Sequence, residues 1–280
     1  MTPIIKIKNA RGDILDLSAD ARYIPVLTGT GPPKATINRA KASTADGTQF
    51  NSATVDERSL LLTVYLQRDI GQARLNLYRW LGTKQPITVY YQADGLDVYI
   101  EGYIETVEVN PYERSQFVAA SILCPHPFWR EMGDTYTNAS NVAPNLEFPF
   151  ETTNEGIELS IISSDRSTII NNLGTVEAGV TFVLTATLRS LQPKIYNLTT
   201  GKWMGFLVDL QQGDQLEICT CTGRKHVTHI RGGVRTNFIN TMMEGSSWLQ
   251  MAIGANEFSY TIDDGECELG IYYTNEYTGV

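Results

Sequence analysis

The sequence predicts a mainly β protein of two domains, and three observations carry that prediction. The second half alternates apolar and polar residues with a period of two. The first half sets one helical stripe among several short strand-like runs. The chain has 280 residues, long for a single core, so two domains of about 130 to 140 residues are the natural reading. They are expected at residues 1–130 and 148–280, joined by a linker over 131–147. An apolar content of 42% supplies ordinary cores.

In the first domain, Ile4, Ile5 and Ile7 open a strand that Asn9-Ala10-Arg11-Gly12-Asp13 turns with Asn and Gly-Asp chemistry. Ile14 to Leu17 and Arg22 to Leu27 are further strands. Thr28-Gly29-Thr30-Gly31-Pro32-Pro33 is a loop, because Pro-Pro cannot supply the N–H groups of a phosphate cradle. Lys41 to Ser59 is polar, with Phe50 and Val55 its only large apolar residues. A connection this long is unusual in a compact domain and reads as an extended arm that orders against a neighbour. Leu60 to Leu66 is the clearest buried strand. Asp69 is expected to cap a helix whose stripe is Ile70, Ala73, Leu77, Trp80 and Leu81, with Gly82 closing it. Strands follow at Pro86 to Gln92, Val98 to Val109 and Gln116 to Leu123.

Cys124-Pro125-His126-Pro127-Phe128-Trp129 marks the seam. Each proline lacks an N–H and fixes φ, so the sheet ladder stops, and two large rings that need burial follow at once. Charge changes here too. Residues 1–130 carry 14 Lys+Arg against 13 Asp+Glu, and residues 131–280 carry 8 against 18. An acidic second half is unsuited to gripping phosphate backbones.

Beyond the linker, Val180, Phe182, Leu184, Ala186 and Leu188 alternate with Thr181, Val183, Thr185 and Thr187. The same rhythm holds at Leu216 and Ile218, at Phe258, Tyr260 and Ile262, and at Cys267, Leu269, Ile271 and Tyr273. Period two with one polar face marks antiparallel sheets exposed on one side, and two such sheets face to face make a sandwich. Trp248 to Asn256 reads as a strand entering a tight turn.

Chemistry-bearing patterns stay at background. His226 and His229 lie three apart, which on a strand puts them on opposite faces, and His126 is remote. Glu101 and Glu105, on one strand, sit about 13 Å apart, too far for a glycosidase pair. Asp263-Asp264-Gly265-Glu266 lacks the spacing of a calcium loop. Cys124, Cys219, Cys221 and Cys267 form no C-x-x-C pair and read as buried reduced thiols. No catalytic, cofactor-binding or metal-binding residue is assigned, and no cofactor is expected. The opening Met1 to Lys6 shows no signal peptide, and no run is long enough to span a membrane, so synthesis in a cytoplasm is expected. On that expectation the sequons at Asn138 and Asn197 carry no weight.

The seam, Asn154-Glu155-Gly156, Thr222-Gly223-Arg224-Lys225-His226-Val227, and Trp248-Leu249 followed by Gly254-Ala255-Asn256 resemble, in order and spacing, the distal tail proteins of long-tailed bacteriophages. His126 departs from that pattern, where an acidic or polar turn residue is expected. The resemblance implies a tail-tube-like first domain with one flanking helix that closes into a hexameric ring, and a galectin-like second domain at the periphery. It further implies a virion component at the tail tip whose partners are the tail tube protein, a tail-tip or tail-associated protein and a receptor-binding protein. Nucleic-acid binding and membrane insertion are not expected. Two alternatives remain open: a carbohydrate-binding module using Trp203, Trp248 or tyrosines on a host surface glycan, and a cell-wall hydrolase using an Asp/Glu pair across strands.

Overall fold

A computed structural model describes residues 2–41, 46–112, 115–139, 142–144, 160–162 and 167–280. Asn154-Glu155-Gly156 and the expected domain start at 148 lie outside these residues. The chain forms two compact units, Met1–Met132 with Glu276–Val280, and Gly133–Asn275.

The first unit is built from β1 (Ile4–Lys8), β2 (Ile14–Asp16), β3 (Tyr23–Thr28), β4 (Ala35–Ala40), β5 (Gln49–Val55), β6 (Arg58–Leu66), the helix α1 (Ile70–Trp80), β7 (Pro86–Ala93), β8 (Leu96–Val109), β9 (Phe117–Cys124) and β10 (Trp129–Glu131). One antiparallel sheet runs in the order β2-β1-β7-β8-β9-β6-β3, with β10 also paired to β8. Its inner face alternates as the sequence predicts: Leu60, Leu62 and Val64 on β6, and Val98, Ile100 and Ile104 on β8, are buried. Ala73, Leu77 and Leu81 close the core from the helix side, with Ile70 and Trp80 half-buried against it. Asp94 and Gly95, both at positive φ, make the two-residue hairpin turn between β7 and β8.

Asp69 and Gly82 stand at the expected N-cap and C′ positions, but neither caps in the expected way. Asp69 holds the N-cap position in a left-handed conformation and makes no side-chain cap bond; its carbonyl receives the Ala73 N–H at 2.8 Å instead. At the other end Leu81 is the C-cap, and the left-handed residue beyond it is Lys84 rather than Gly82. Glu105, the second carboxylate on β8, sits at a bulge where the β8–β9 register shifts.

The second unit contains β11 (Thr135–Asn138), β12 (Val142–Pro144), β13 (Ser160–Ile162), β14 (Ser167–Asn172), β15 (Ala178–Ala186), β16 (Ser190–Leu191), β17 (Lys194–Asn197), β18 (Lys202–Gly205), β19 (Asp209–Leu210), β20 (Gln215–Cys219), β21 (His226–Arg231), β22 (Val234–Asn237), β23 (Gln250–Met251), β24 (Gly254–Thr261) and β25 (Cys267–Tyr273). One sheet runs β11-β25-β15-β20-β21-β22, and a second runs β14-β24-β17-β18. Phe182 from the first meets Phe258 from the second at 5.4 Å between ring centroids, inside a core that also takes Leu184, Ile195, Leu269 and Ile271. This is the sandwich the alternation predicts. At the Asp-Asp-Gly-Glu turn, Gly265 has φ +96° and a Cβ there would stand 1.7 Å from the Arg189 carbonyl oxygen, so the turn admits only glycine.

Two segments depart from the expected division. Within the expected linker, β11 is a sheet strand, pairing with β25 in the register Thr135↔Tyr273. The last strand, β26 (Glu276–Tyr277), pairs with β10 and belongs to the first unit, not to the sandwich.

One buried acid in the sandwich is pH-sensitive. Asp214 accepts from Arg231 Nε at 2.9 Å, from His229 Nε2 at 3.1 Å and from the Gln211 N–H at 2.8 Å. The Arg231 guanidinium, helped against burial by these other donors, holds the carboxyl far below the usual carboxylate range. The folded state therefore binds fewer protons than the unfolded one. The contribution is complete above the unfolded value of about 4 and is lost as pH falls through the folded value. Arg231 is half exposed, which screens the pair. Asp214→Asn is expected to cost about 1–2 kcal/mol at neutral pH and to flatten the acid limb of stability, as read by urea unfolding across a pH series.

Candidate assembly surface

The polar stretch that the sequence suggests as an arm, residues 41–59, contributes β5, and β4, the strand before it, completes a hairpin with it. β4 and β5 pair antiparallel, and every residue of both strands is exposed. Ala35 faces Val55, Thr36 faces Thr54, Ile37 faces Ala53 and Asn38 faces Ser52. The register then shifts, and Arg39 faces Phe50, leaving Asn51 as the extra residue. Cross-strand partners share a face and neighbours along a strand do not. Ala35, Ile37, Arg39, Phe50, Ala53 and Val55 therefore lie on one side, apolar but for Arg39. Thr36, Asn38, Ser52 and Thr54 lie on the other, where Asn38 Nδ2 donates to Ser52 Oγ at 3.0 Å. Without the bulge Phe50 would fall on the polar side. Ile37 and Phe50 are 60% and 65% exposed. An isolated two-stranded hairpin is marginal in water, and one with a bare apolar face wants a partner.

The root of this hairpin is held by the stretch that the sequence marks as the seam. Arg58, the first residue of β6, is 2% exposed. Its guanidinium donates to the carbonyls of Gly29 and Gly31 at 2.7 and 2.6 Å, to Pro127 at 2.7 Å, and to Thr278. It also lies over the Trp129 ring, 5.8 Å from the centroid. Its partners are backbone dipoles rather than a carboxylate, and burial pushes its pKa down. The Arg58 charge in turn opposes the effect of burial on Cys124, whose thiol is nonetheless pushed up to about 12. Gly29–Gly31 lead into β4 and Arg58 follows β5, so one side chain ties the entrance of the arm to its exit. The Val280 N–H reaches the Thr30 carbonyl at 3.1 Å, and a Cβ at Gly279 would meet Gly31 at 3.1 Å. Arg130, also buried, pairs with Glu276 at 3.2 Å and Glu101 at 3.3 Å, and His126 Nε2 meets Glu276 at 3.0 Å. The C-terminal residues thus lock the seam beneath the arm.

Beside the arm, β3 ends the sheet as an edge with no further strand paired to it among the described residues. Its outward residues Ile24 and Val26 are exposed and align across the ladder with Tyr65 and Thr63, and Leu61 is exposed on the same side. The first unit therefore presents two apolar surfaces, one on the arm and one at this edge.

The other residues considered from sequence do not converge. His226 meets Glu217 and His229 meets Asp214, on opposite faces of β21. Among the described residues no group of three His, Cys, Asp or Glu is placed to hold a metal ion. Trp203 is half-buried, and Trp248 packs on the sandwich core with Lys225 Nζ 5.6 Å from its ring centroid, so neither is an open platform for a sugar. Asn197 is fully buried and donates to the Gln250 carbonyl at 2.9 Å.

The family described as "Siphovirus-type tail component, C-terminal domain" matches residues 173–277. No curated protein matches the sequence. Among solved structures, the Dit protein of phage SPP1, described as a paradigm of the hub adsorption apparatus in phages infecting Gram-positive hosts, is similar at 13% identity and a TM-score of 0.66, covering 97% of this chain and 98% of that one. A chain of the phage P2 baseplate in its activated conformation with Ca is similar at 12% identity and a TM-score of 0.57, each chain covered in full. At these identities the likeness is one of fold. The family match is confined to residues 173–277, and over nearly its whole length the chain shares its fold with these two phage tail proteins.

Proposed function

We propose that six copies of this chain close into a ring that joins the tail tube to the tail tip and anchors receptor-binding proteins, without enzymatic activity. The observation that carries the reading is the amphipathic hairpin. Its apolar face is bare in the single chain while its root is fixed by Arg58. The complementary surface is the apolar edge of a second copy, formed by Ile24, Val26 and Leu61. Arm and edge are different patches of one surface, so the contact is heterologous, and a heterologous contact whose rotation closes makes a ring. The near-neutral first domain suits close packing of copies, and the acidic second domain suits the periphery. The tail tube protein and a tail-tip protein are the neighbours proposed along the axis, with the particle assembled in the host cytoplasm. Native mass measurement of the purified chain is expected to show six copies, or twelve if rings stack. A single copy at every concentration would contradict the proposal.

A further inference from the structure

The second unit carries a pair of thiols that ring assembly leaves unused. Cys219 ends β20, and Cys221 follows two residues later. Thr220, between them, is fully buried. Its N–H and its Oγ1 both donate to the Val180 carbonyl, each at 2.9 Å, and its Oγ1 accepts the Val180 N–H at 2.8 Å. Its own carbonyl accepts Gln250 Nε2 at 3.0 Å. With the middle residue locked inward, both neighbours project to the opposite side. Gly179 fixes the backbone from behind, since a Cβ there would lie 2.3 Å from Cys221 Cα. The Cys221 thiol is hydrogen-bonded to the Cys219 sulfur, and Thr181 contacts the same sulfur. Cys219 is 6% exposed, and Cys221 is half-buried.

The surroundings favour a thiolate. His226 is the cross-strand partner of Cys219. Its Nδ1 faces the Arg224 carbonyl at 2.8 Å and its Nε2 faces Glu217 at 3.0 Å. With an acceptor at each nitrogen, the doubly protonated ring satisfies both. Burial opposes that charge, but Glu217 and the Arg224 carbonyl outweigh it and raise the pKa. The Cys221 hydrogen bond then pulls the Cys219 thiol well below the usual thiol range against burial, with the His226 charge adding to it.

We propose that Cys219 and Cys221 are a redox pair that closes to an intramolecular disulfide on meeting a small-molecule disulfide. Cys221 hands its proton to the Cys219 thiolate and, now a thiolate itself, attacks one sulfur of the reagent disulfide. An S–S bond forms to the protein, the reagent's S–S bond breaks, and its other half leaves as a thiolate that takes that proton from Cys219. The Cys219 thiolate then attacks Cys221 Sγ and breaks the mixed disulfide, and the second reagent thiolate leaves and takes from solvent the proton that Cys219 had released on ionising. Two protein thiols are oxidised and one reagent disulfide is reduced to two thiols.

The test uses the full chain, reduced, freed of reductant and titrated with oxidised glutathione. Residues 203–224 contain no Lys or Arg before Arg224, so trypsin leaves both cysteines in one peptide. That peptide is expected to lose two hydrogens without gaining glutathione, while Cys124 and Cys267, both buried, stay reduced. Cys219→Ser should trap the glutathione adduct on Cys221, and Cys221→Ser should leave the peptide unreacted. His226→Gln, which keeps a polar side chain without the charge, should slow ring closure on the order of tenfold. A stable adduct on Cys221 in the unsubstituted chain, or loss of the two hydrogens only under unfolding conditions, would overturn the proposal.

Discussion

The double variant Ile37→Asp, Phe50→Asp is expected to remain a single copy at concentrations where the unsubstituted chain assembles. Both side chains lie on the bare face of the arm and contribute little to the fold of the lone chain. Stability of the single chain should therefore change by no more than about 0.5 kcal/mol. Two carboxylates placed in an apolar contact should weaken association at least about 100-fold, roughly 3 kcal/mol. The control is Thr36→Asp, Thr54→Asp, which adds the same charge on the opposite face of the same hairpin and should leave the assembly largely intact. Sedimentation of both variants beside the parent chain, with thermal unfolding of each, separates loss of contact from loss of fold. Equal weakening by the two pairs would show that charge alone, not the apolar face, governs assembly.

The second large effect falls on Arg58. Replacing it by Leu strips the guanidinium from the carbonyls of Gly29, Gly31, Pro127 and Thr278. Breaking a buried, fully hydrogen-bonded charge is expected to cost about 3–5 kcal/mol. Arg58→Lys keeps the charge but not the planar fork that reaches several segments at once, so a loss of about 1–3 kcal/mol is expected. Urea unfolding of the full chain reads this as a shift confined to the transition of the first unit. A loss below about 1 kcal/mol for the leucine variant would mean that Arg58 does not hold the root of the arm.

Much of the architecture is legible in the residues, and the reasons the rest is not are physical. A strand announces itself by alternation only when one face is buried. β6, β15 and β25 meet that condition, and the sequence marks them. β4 and β5 are exposed on both faces in the single chain, so their composition is that of a loop, and the bulge at Asn51 breaks the alternation that Phe50, Ala53 and Val55 would otherwise show. β26 is two residues long and pairs with β10 far back in the chain, a contact that no local pattern encodes. Arg58 looks like a polar flank before an apolar run, because its partners are backbone oxygens that carry no residue signature. Asp69 satisfies every compositional rule for a helix cap, yet its left-handed backbone leaves the side chain without a cap bond. The seam was visible through its two prolines and two rings. Its use as the floor beneath the arm depends on the returning tail, which becomes apparent only once the chain is folded.

The most direct test of the account is amide hydrogen exchange of the arm, measured on the assembled chain and on the single-copy variant. If the arm docks on a neighbouring copy, the amides of residues 35–40 and 49–55 exchange quickly in the single copy and become strongly protected in the assembly. An assembly in which those amides remain as open as in the single chain would contradict the claim that this hairpin builds the ring.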